Sequence, residues 1–313
     1  MSFMNGSPGV LRVTLLVVLG VVWPWGYASA VSQYAVTDLG TLDSSGSEGK
    51  GINNSGQVVG SSATRAFFWD NGLMDDLGTL GGDDSVAYGI DALGRVVGWA
   101  DTTSGPYHAF LWEHGAMLDL GTLDGPGSVA YNINTARQVV GESDTASGAY
   151  HAFLWEEGVL NDLGTLGGPY SGAFAINESG QVVGYAYSAE GCRAFLWEDG
   201  SMADLGTITG FGSMALDIND AGQVVGRLVG SPYDHPFLWD GSTMEDLGTL
   251  GGTDGVAWAI NNSGQVVGWA DDPGWSKRAF LWEDQVMYDL NDFIPQDSGW
   301  RLEHAYDIND LGQ

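Results

Sequence analysis

The chain has 313 residues, among them 49 Gly and 13 Trp, and its 40 acidic against 10 basic side chains give a formal charge of −30. So acidic a protein is repelled by polyanions, which excludes electrostatic binding to nucleic acid or to an anionic membrane surface. Cys192 is the only cysteine, so no intrachain disulfide can form and packing must hold the fold.

Residues 1–30 read as a secretory signal peptide. Arg12 precedes the apolar run Val13 to Val22, and Ala28-Ser29-Ala30 supplies a small-x-small cleavage site. The run is short for a membrane span, and no second one follows. The mature chain is expected to begin near Val31, to be secreted or held at the cell surface, to insert into no membrane and to be a monomer. The acidity is read first as solubility outside the cell, and second as a means to gather cations or a basic partner.

Residues 31–313 form a single repeat domain. The marker tryptophans Trp69, Trp112, Trp155, Trp197, Trp239 and Trp282 are spaced by 43, 43, 42, 42 and 43 residues. An Asp-Leu-Gly keeps the same beat at Asp38, Asp76, Asp119, Asp162, Asp204 and Asp246, with a worn copy at Asp289-Leu290-Asn291. A period near forty residues indicates a ring or a stack of repeats.

Each period reads as four short strands, as in Val86-Ala87-Tyr88-Gly89-Ile90, Arg95 to Trp99, His108 to Trp112 and Met117 to Thr122. No run has helical spacing. Tight turns such as Asn53-Asn54-Ser55-Gly56 and Asn177-Glu178-Ser179-Gly180 join the first two strands. In them Asn bonds its own backbone and Gly takes the positive φ, a conformation that Arg137 tolerates less well in the third copy.

The fold class is therefore all-β: a β-propeller of four-stranded blades with a repeat of about 42 residues, six complete and a seventh split between the N-terminus and a truncated C-terminus. The outer strand of that seventh blade would be Ala35 to Leu42, and His304 to Gln313 would start its inner strand. Ala87, Ala130, Ala173, Ala215, Ala257 and Ala305 share one place in the first strand, where a small residue suits the crowded axis, and a large residue follows each. A β-solenoid is the alternative, although its rungs are usually shorter and more alike.

Together, Ile-Asn-x-x-Gly-Gln-Val-Val-Gly, His-Ala-Phe-Leu-Trp and Asp-Leu-Gly-Thr-Leu-Gly-Gly resemble the bacterial extracellular repeat of the HAF family, over residues 34–313. Arg65, Arg193 and Arg278 in place of His, and Pro236 in place of Ala, depart from the motif but keep the strand. The resemblance implies export, in some members a C-terminal sorting tail, and no established activity.

The marker tryptophans are read as core. The recurring His or Arg (Arg65, His108, His151, Arg193, His235, Arg278) cannot be a metal set, since Arg does not ligate and no second His or Cys accompanies it. A charge-assisted pair with the constant Asp of each copy is expected instead. Asp217-Ile218-Asn219-Asp220-Ala221-Gly222 resembles a calcium loop but lacks the closing carboxylate, so it is read as an Asx turn.

No phosphate loop and no nucleophile elbow occurs. Cys192 is read as an inert thiol. Weak calcium candidates are Asp83, Asp84, Asp271 and Asp272, and no other cofactor is expected.

The loops that vary between copies share one face, where binding specificity usually resides. The residues after Val-Val-Gly vary too: Ser61, Trp99, Glu142, Tyr185, Arg227 and Trp269. Candidate ligand-binding residues are Trp99, Tyr185, Trp269, Trp275, Tyr107 and Tyr233, whose rings could stack on a glycan or a protein partner. The expected function is a non-catalytic exported scaffold binding an extracellular ligand on the variable face. The alternatives are a carbohydrate-active hydrolase or lyase on the same scaffold, and an inert structural surface protein.

Overall fold

The computed structural model describes residues 15–18, 34–43, 46–208, 212–230 and 233–313. It contains six antiparallel four-stranded sheets, each made of four strands consecutive in sequence. The third, for example, comprises Asp124–Ile133, Val139–Thr145, Tyr150–Glu156 and Val159–Gly164. First strands of successive sheets touch one another, so they are innermost, and the sheets are the blades of a six-bladed β-propeller. Among the described residues there is no α-helix, only a 3-10 turn at Leu290–Phe293, and no helix is long and apolar enough to cross a membrane.

Successive blades cover each other's faces. The free faces of the first and sixth are covered by Leu39 and Leu42 and by Leu290, Ile294, Leu302 and Ile308, and the core is a series of such layers. The six phenylalanines Phe67, Phe110, Phe153, Phe195, Phe237 and Phe280 are wholly buried in them. The marker tryptophans edge the same layers, with Trp69 and Trp155 buried and the other four partly so. The repeated alanines are not at the axis, as expected from sequence, but in these layers: Ala87, Ala130, Ala173, Ala215 and Ala257 have no exposed surface.

A buried serine pins each of the second to fifth blades to the one before. Ser85, Ser128, Ser171 and Ser213 donate to the carbonyl of the preceding Asp-Leu-Gly glycine at 2.6–2.7 Å. Each also accepts the amide of Ala66, Ala109, Ala152 or Ala194 on the preceding third strand at 2.8–3.0 Å. At the next boundary Pro236 replaces Ala and has no N–H to give, and Gly255 replaces the serine. A Cβ on Gly255 would stand 3.2 Å from Pro236 Cδ, so the two substitutions fit each other.

A second device runs around the inner turns. Asn53 accepts the amides of Ser55 and Gln57 at 3.0 and 3.1 Å, which forms the Asx turn anticipated from sequence. Its amide nitrogen donates to Gln57 Oε1 and to the backbone carbonyl of Asp91 in the next blade. Asn134, Asn177, Asn219, Asn261 and Asn309 repeat that interblade bond to the carbonyls of Asn177, Asn219, Asn261, Asn309 and Asn53, so the circuit returns to its start.

Asp91 cannot donate, and Arg95 stands where the other copies have Gln. The Arg95 guanidinium pairs with Asp91 and reaches the Asn134 carbonyl at 3.2 Å, filling the missing link. Arg137 does adopt positive φ, at 66°, and is held by Glu113 and the face of Trp155.

Residues 304–313 lie between the sixth and first blades without forming a strand, and a seventh four-stranded sheet is not formed among the described residues. Leu39 and Leu42 pack on the first blade. Ala35–Asp38 pairs with Leu15–Val18, which falls inside the stretch read as a leader; the cleavage site at Ala28-Ser29-Ala30 is outside the described residues.

The inner strands carry one irregularity that positions everything at the axis. Lys50, Tyr88, Tyr131, Phe174, Leu216 and Trp258 are each skipped by the pairing with the second strand, so each is the extra residue of a β-bulge. A bulge re-aims its side chain. The glycine of each Val-Val-Gly pairs with the residue just before the bulged one. A Cβ on Gly60, Gly98, Gly141, Gly184, Gly226 or Gly268 would fall 1.9–2.0 Å from a backbone carbonyl oxygen.

Candidate functional site

The bulged side chains meet around the axis. Tyr88 and Tyr131 have ring centroids 5.2 Å apart, Tyr131 and Phe174 5.1 Å, and Trp258 and Tyr306 6.0 Å. Lys50 joins the two arcs, with Nζ 5.6 Å from the Tyr88 centroid and 5.3 Å from that of Tyr306. From Phe174 the aromatic surface continues outward through Tyr185, Tyr187, Tyr170 and Tyr150 at 5.4, 6.4, 6.0 and 4.6 Å between successive rings. These distances are those of offset and edge-to-face packing.

Polar groups are few and specifically placed. Glu142 accepts the hydroxyls of Tyr131 at 3.0 Å and Tyr185 at 3.2 Å. Burial pushes the Glu142 carboxyl above the ordinary range, with the two hydroxyls opposing it. Burial and the Glu142 charge push both tyrosines up as well. Gly172 makes the cluster sterically feasible, since a Cβ there would stand 2.7 Å from both Glu142 Oε2 and Tyr185 Cε1. Across the ring, Arg227 pairs with Asp234 at 3.0 Å through Nη1. Arg227 Nε and Trp258 Nε1 are buried N–H groups without a hydrogen-bond partner, an unusual circumstance outside ligand sites.

The aromatic candidates read from sequence divide into two groups. Tyr185 belongs to the axial surface; Trp99 lies 5.5 Å from Tyr107 and bonds Tyr88; and Trp269 lies 5.7 Å from His304 with the rings tilted, and has Lys277 over its face at 3.6 Å. Trp275 and Tyr233 pair with each other at 5.6 Å, away from these contacts, and Trp275 is 61% exposed. The residues that sequence reasoning missed are the bulged ones and Glu142 as their acceptor. Their signal was the glycine inside an otherwise apolar strand, which marks a bulge.

The aspartates named as calcium candidates are not brought together. Asp83 and Asp84 lie on the inner strand of the second blade, whereas Asp271 ends the second strand of the sixth and Asp272 follows it. Asp272 is engaged by Arg278 at 3.0 Å and by the amides of Gly274 and Ser276. Among the described residues no group of three or more His, Cys, Asp or Glu is arranged to hold a metal ion.

The His or Arg of each copy meets the constant Asp. The separations are 2.9, 2.8 and 2.9 Å for His108–Asp119, His151–Asp162 and His235–Asp246. They are 3.2, 3.8 and 3.9 Å for Arg65–Asp76, Arg193–Asp204 and Arg278–Asp289. The hairpin register explains this, because Phe110 faces Asp119 and so sets it diagonal to His108. Each Asp-Leu-Gly aspartate also accepts the amide two residues on, as Asp162 does from Gly164 at 2.8 Å. Asp162→Ala should therefore lower stability by about 1–2 kcal/mol in a urea melt, and His151→Ala by under about 1 kcal/mol.

One level along the axis from the bulges lie Asp217 and Asp307. Asp217 accepts the amides of Ile218 and Ile260, and Asp307 those of Ile308 and Ile52. Burial, with the Asp307 charge added, pushes Asp217 up to about 8, and burial pushes Asp307 up to about 6. With folded values above unfolded ones, the native state binds more protons, so these groups favour folding at low pH and lose that contribution as pH rises from about 4 through 8. Asp217→Asn should flatten the fall in melting temperature over this window relative to the parent protein. An unchanged slope would exclude Asp217 as its source. Burial likewise pushes the Cys192 thiol up to about 11, which keeps it from reacting as a thiolate at neutral pH.

Residues 200–312, from the outer strand of the fourth blade to the closing segment, match the model of a family described as "Protein of unknown function (DUF3466)". No curated protein matches. The β-propeller domain of the Trilobed protease from Pyrococcus furiosus, described as having an open velcro topology, superposes with a TM-score of 0.56 at 12% identity. The match covers 84% of this chain and 87% of that one. The acylaminoacyl peptidase of Pyrococcus horikoshii gives a TM-score of 0.55 at 12% identity over 84% of this chain, which spans only 46% of that one. At such identities the likeness shows the fold alone.

Proposed function

We propose that this chain is an exported, non-catalytic binding protein of the HAF-repeat type, and that its ligand is taken at the axial mouth lined by the bulged side chains. The carrying observation is that every inner strand spends a bulge to turn one side chain to the axis, and that most of those side chains are aromatic. Aromatic surface with a few fixed polar groups is what small-ligand recognition needs. The unpartnered donors Arg227 Nε and Trp258 Nε1 would meet acceptors on that ligand.

A hydrolase on this scaffold would need two unlike carboxylates facing the substrate. Asp217 and Asp307 are raised to different extents by burial, but both oxygens of each are occupied by backbone amides. The same reading includes removal of residues 1–30 on export. It also includes a seventh, split blade in which Ala35–Asp38 is the outer strand and residues 304–313 the inner one.

The test is a glycan and peptide binding screen followed by tryptophan-fluorescence titration, with and without calcium. A ligand found in this way should be lost in Tyr131→Ala and Trp258→Ala variants whose thermal melts show them folded. Retention of full affinity in both would remove the axial mouth as the site.

A further inference from the structure

The ring contains its own demonstration of what its walls accept. Lys50 Nζ sits between the faces of Tyr88 and Tyr306 and 3.3 Å from the Glu48 carboxylate. Two aromatic faces and one carboxylate thus hold an alkylammonium group, by attraction to the ring quadrupoles and to the opposite charge.

The same three parts recur at the boundary of the third and fourth blades. Glu142 lies between Tyr131 and Tyr185, and Phe174 packs 5.1 and 5.4 Å from those two rings. Both hydroxyls donate to the carboxylate, which fixes its orientation and leaves about half of its lone pairs for another donor. No Lys, Arg or His pairs with Glu142 among the described residues. A carboxylate is costly to hold in such surroundings unless a donor or a cation compensates it.

We propose that Glu142 and the rings of Tyr131, Phe174 and Tyr185 bind the alkylammonium group of an external ligand. This rests on the axial-mouth reading above and specifies its ligand as an organic cation. A hard metal ion is a poor fit, because Ca²⁺ requires six or more oxygens and these walls are carbon. The net charge of −30 draws cations toward the protein from a distance. Gly172 contributes by its missing side chain, since any Cβ there would push Glu142 and Tyr185 apart.

The experiment is calorimetric titration of the full chain, repeated from neutral to mildly alkaline pH. The probes are choline and n-butylammonium, with the uncharged analogues 3,3-dimethylbutan-1-ol and 1-pentanol. At least one ammonium probe is expected to bind at least about tenfold more tightly than its neutral analogue, as for a partly desolvated cation–π site. Glu142→Gln, nearly isosteric, should abolish that preference, and Tyr185→Phe, which keeps the wall and loses the hydroxyl, should weaken it. Asp144→Asn, nearby on the same strand, should leave most of it.

Equal binding of charged and neutral probes, no binding of either ammonium probe, or a preference that survives Glu142→Gln would each overturn the proposal. A neutral ligand lost in Tyr131→Ala while the ammonium probes fail would sink this inference and leave the axial-mouth reading intact. Ligand binding indifferent to both Tyr131→Ala and Trp258→Ala would sink that reading itself.

Discussion

Gly141→Ala is expected to destabilise the protein by about 4 kcal/mol or more, enough to leave little folded material at 37 °C. The new Cβ would lie 1.9 Å from the Val129 carbonyl oxygen and 2.8 Å from the Phe153 ring. The carbonyl belongs to the strand that carries the Tyr131 bulge, so relief requires undoing the bulge and retracting Tyr131 from the axis. Gly148→Ala is the matched control, because that glycine has open space around it and strains only its φ of 82°. It should cost about 1 kcal/mol. Thermal melts of the two variants decide the matter. Similar melting temperatures would mean that the bulge is soft and the axial surface adjustable.

The second large effect concerns the circuit of inner turns. Asn177→Asp should cost about 2–4 kcal/mol, because it removes the donor to the Asn219 carbonyl and sets a carboxylate against that oxygen and Gln181 Oε1. Adding Gln181→Arg should restore most of the loss. The pair would then copy the second blade, where Asp91 accepts from Arg95 and the Arg95 guanidinium donates to the next blade. Urea unfolding of the single and double variants measures the coupling directly. Failure of the second substitution to rescue the first would mean that the guanidinium route works only in the second blade.

The architecture was legible because it is written in recurrence. Forty-odd-residue spacing, Asn-x-x-Gly turns and the alternation around each Trp specify blades, their strands and the hairpin that brings His108 to Asp119. Half of the axial surface was legible as well, through the variable residue after Val-Val-Gly, which placed Trp99, Tyr185 and Trp269 near one rim.

The other half was hidden by the rule that made the strands readable. Strict alternation puts Ala130 and Tyr131 on opposite faces and treats the alanine as the residue suited to the axis. The bulge at Tyr131 breaks that rule, so Ala130 is buried between blades and the tyrosine turns inward. The buried serines escaped notice for another reason. The hydroxyl two residues before four of the alanines recurs with the repeat, but its use appears only when the carbonyl and amide from the preceding blade are alongside.

The exchange of Ala and Ser for Pro236 and Gly255 has a bearing on how such a gene can be rearranged. Transplanting the fifth sheet alone into the slot of the third would set Pro236 beside Ser171, whose hydroxyl would face a ring carbon in place of an amide. Transplanting it together with the opening strand of its successor would keep the match. The portable segment is therefore out of phase with the visible sheets, and recombination breakpoints in the turn after each first strand should be tolerated better than breakpoints between sheets.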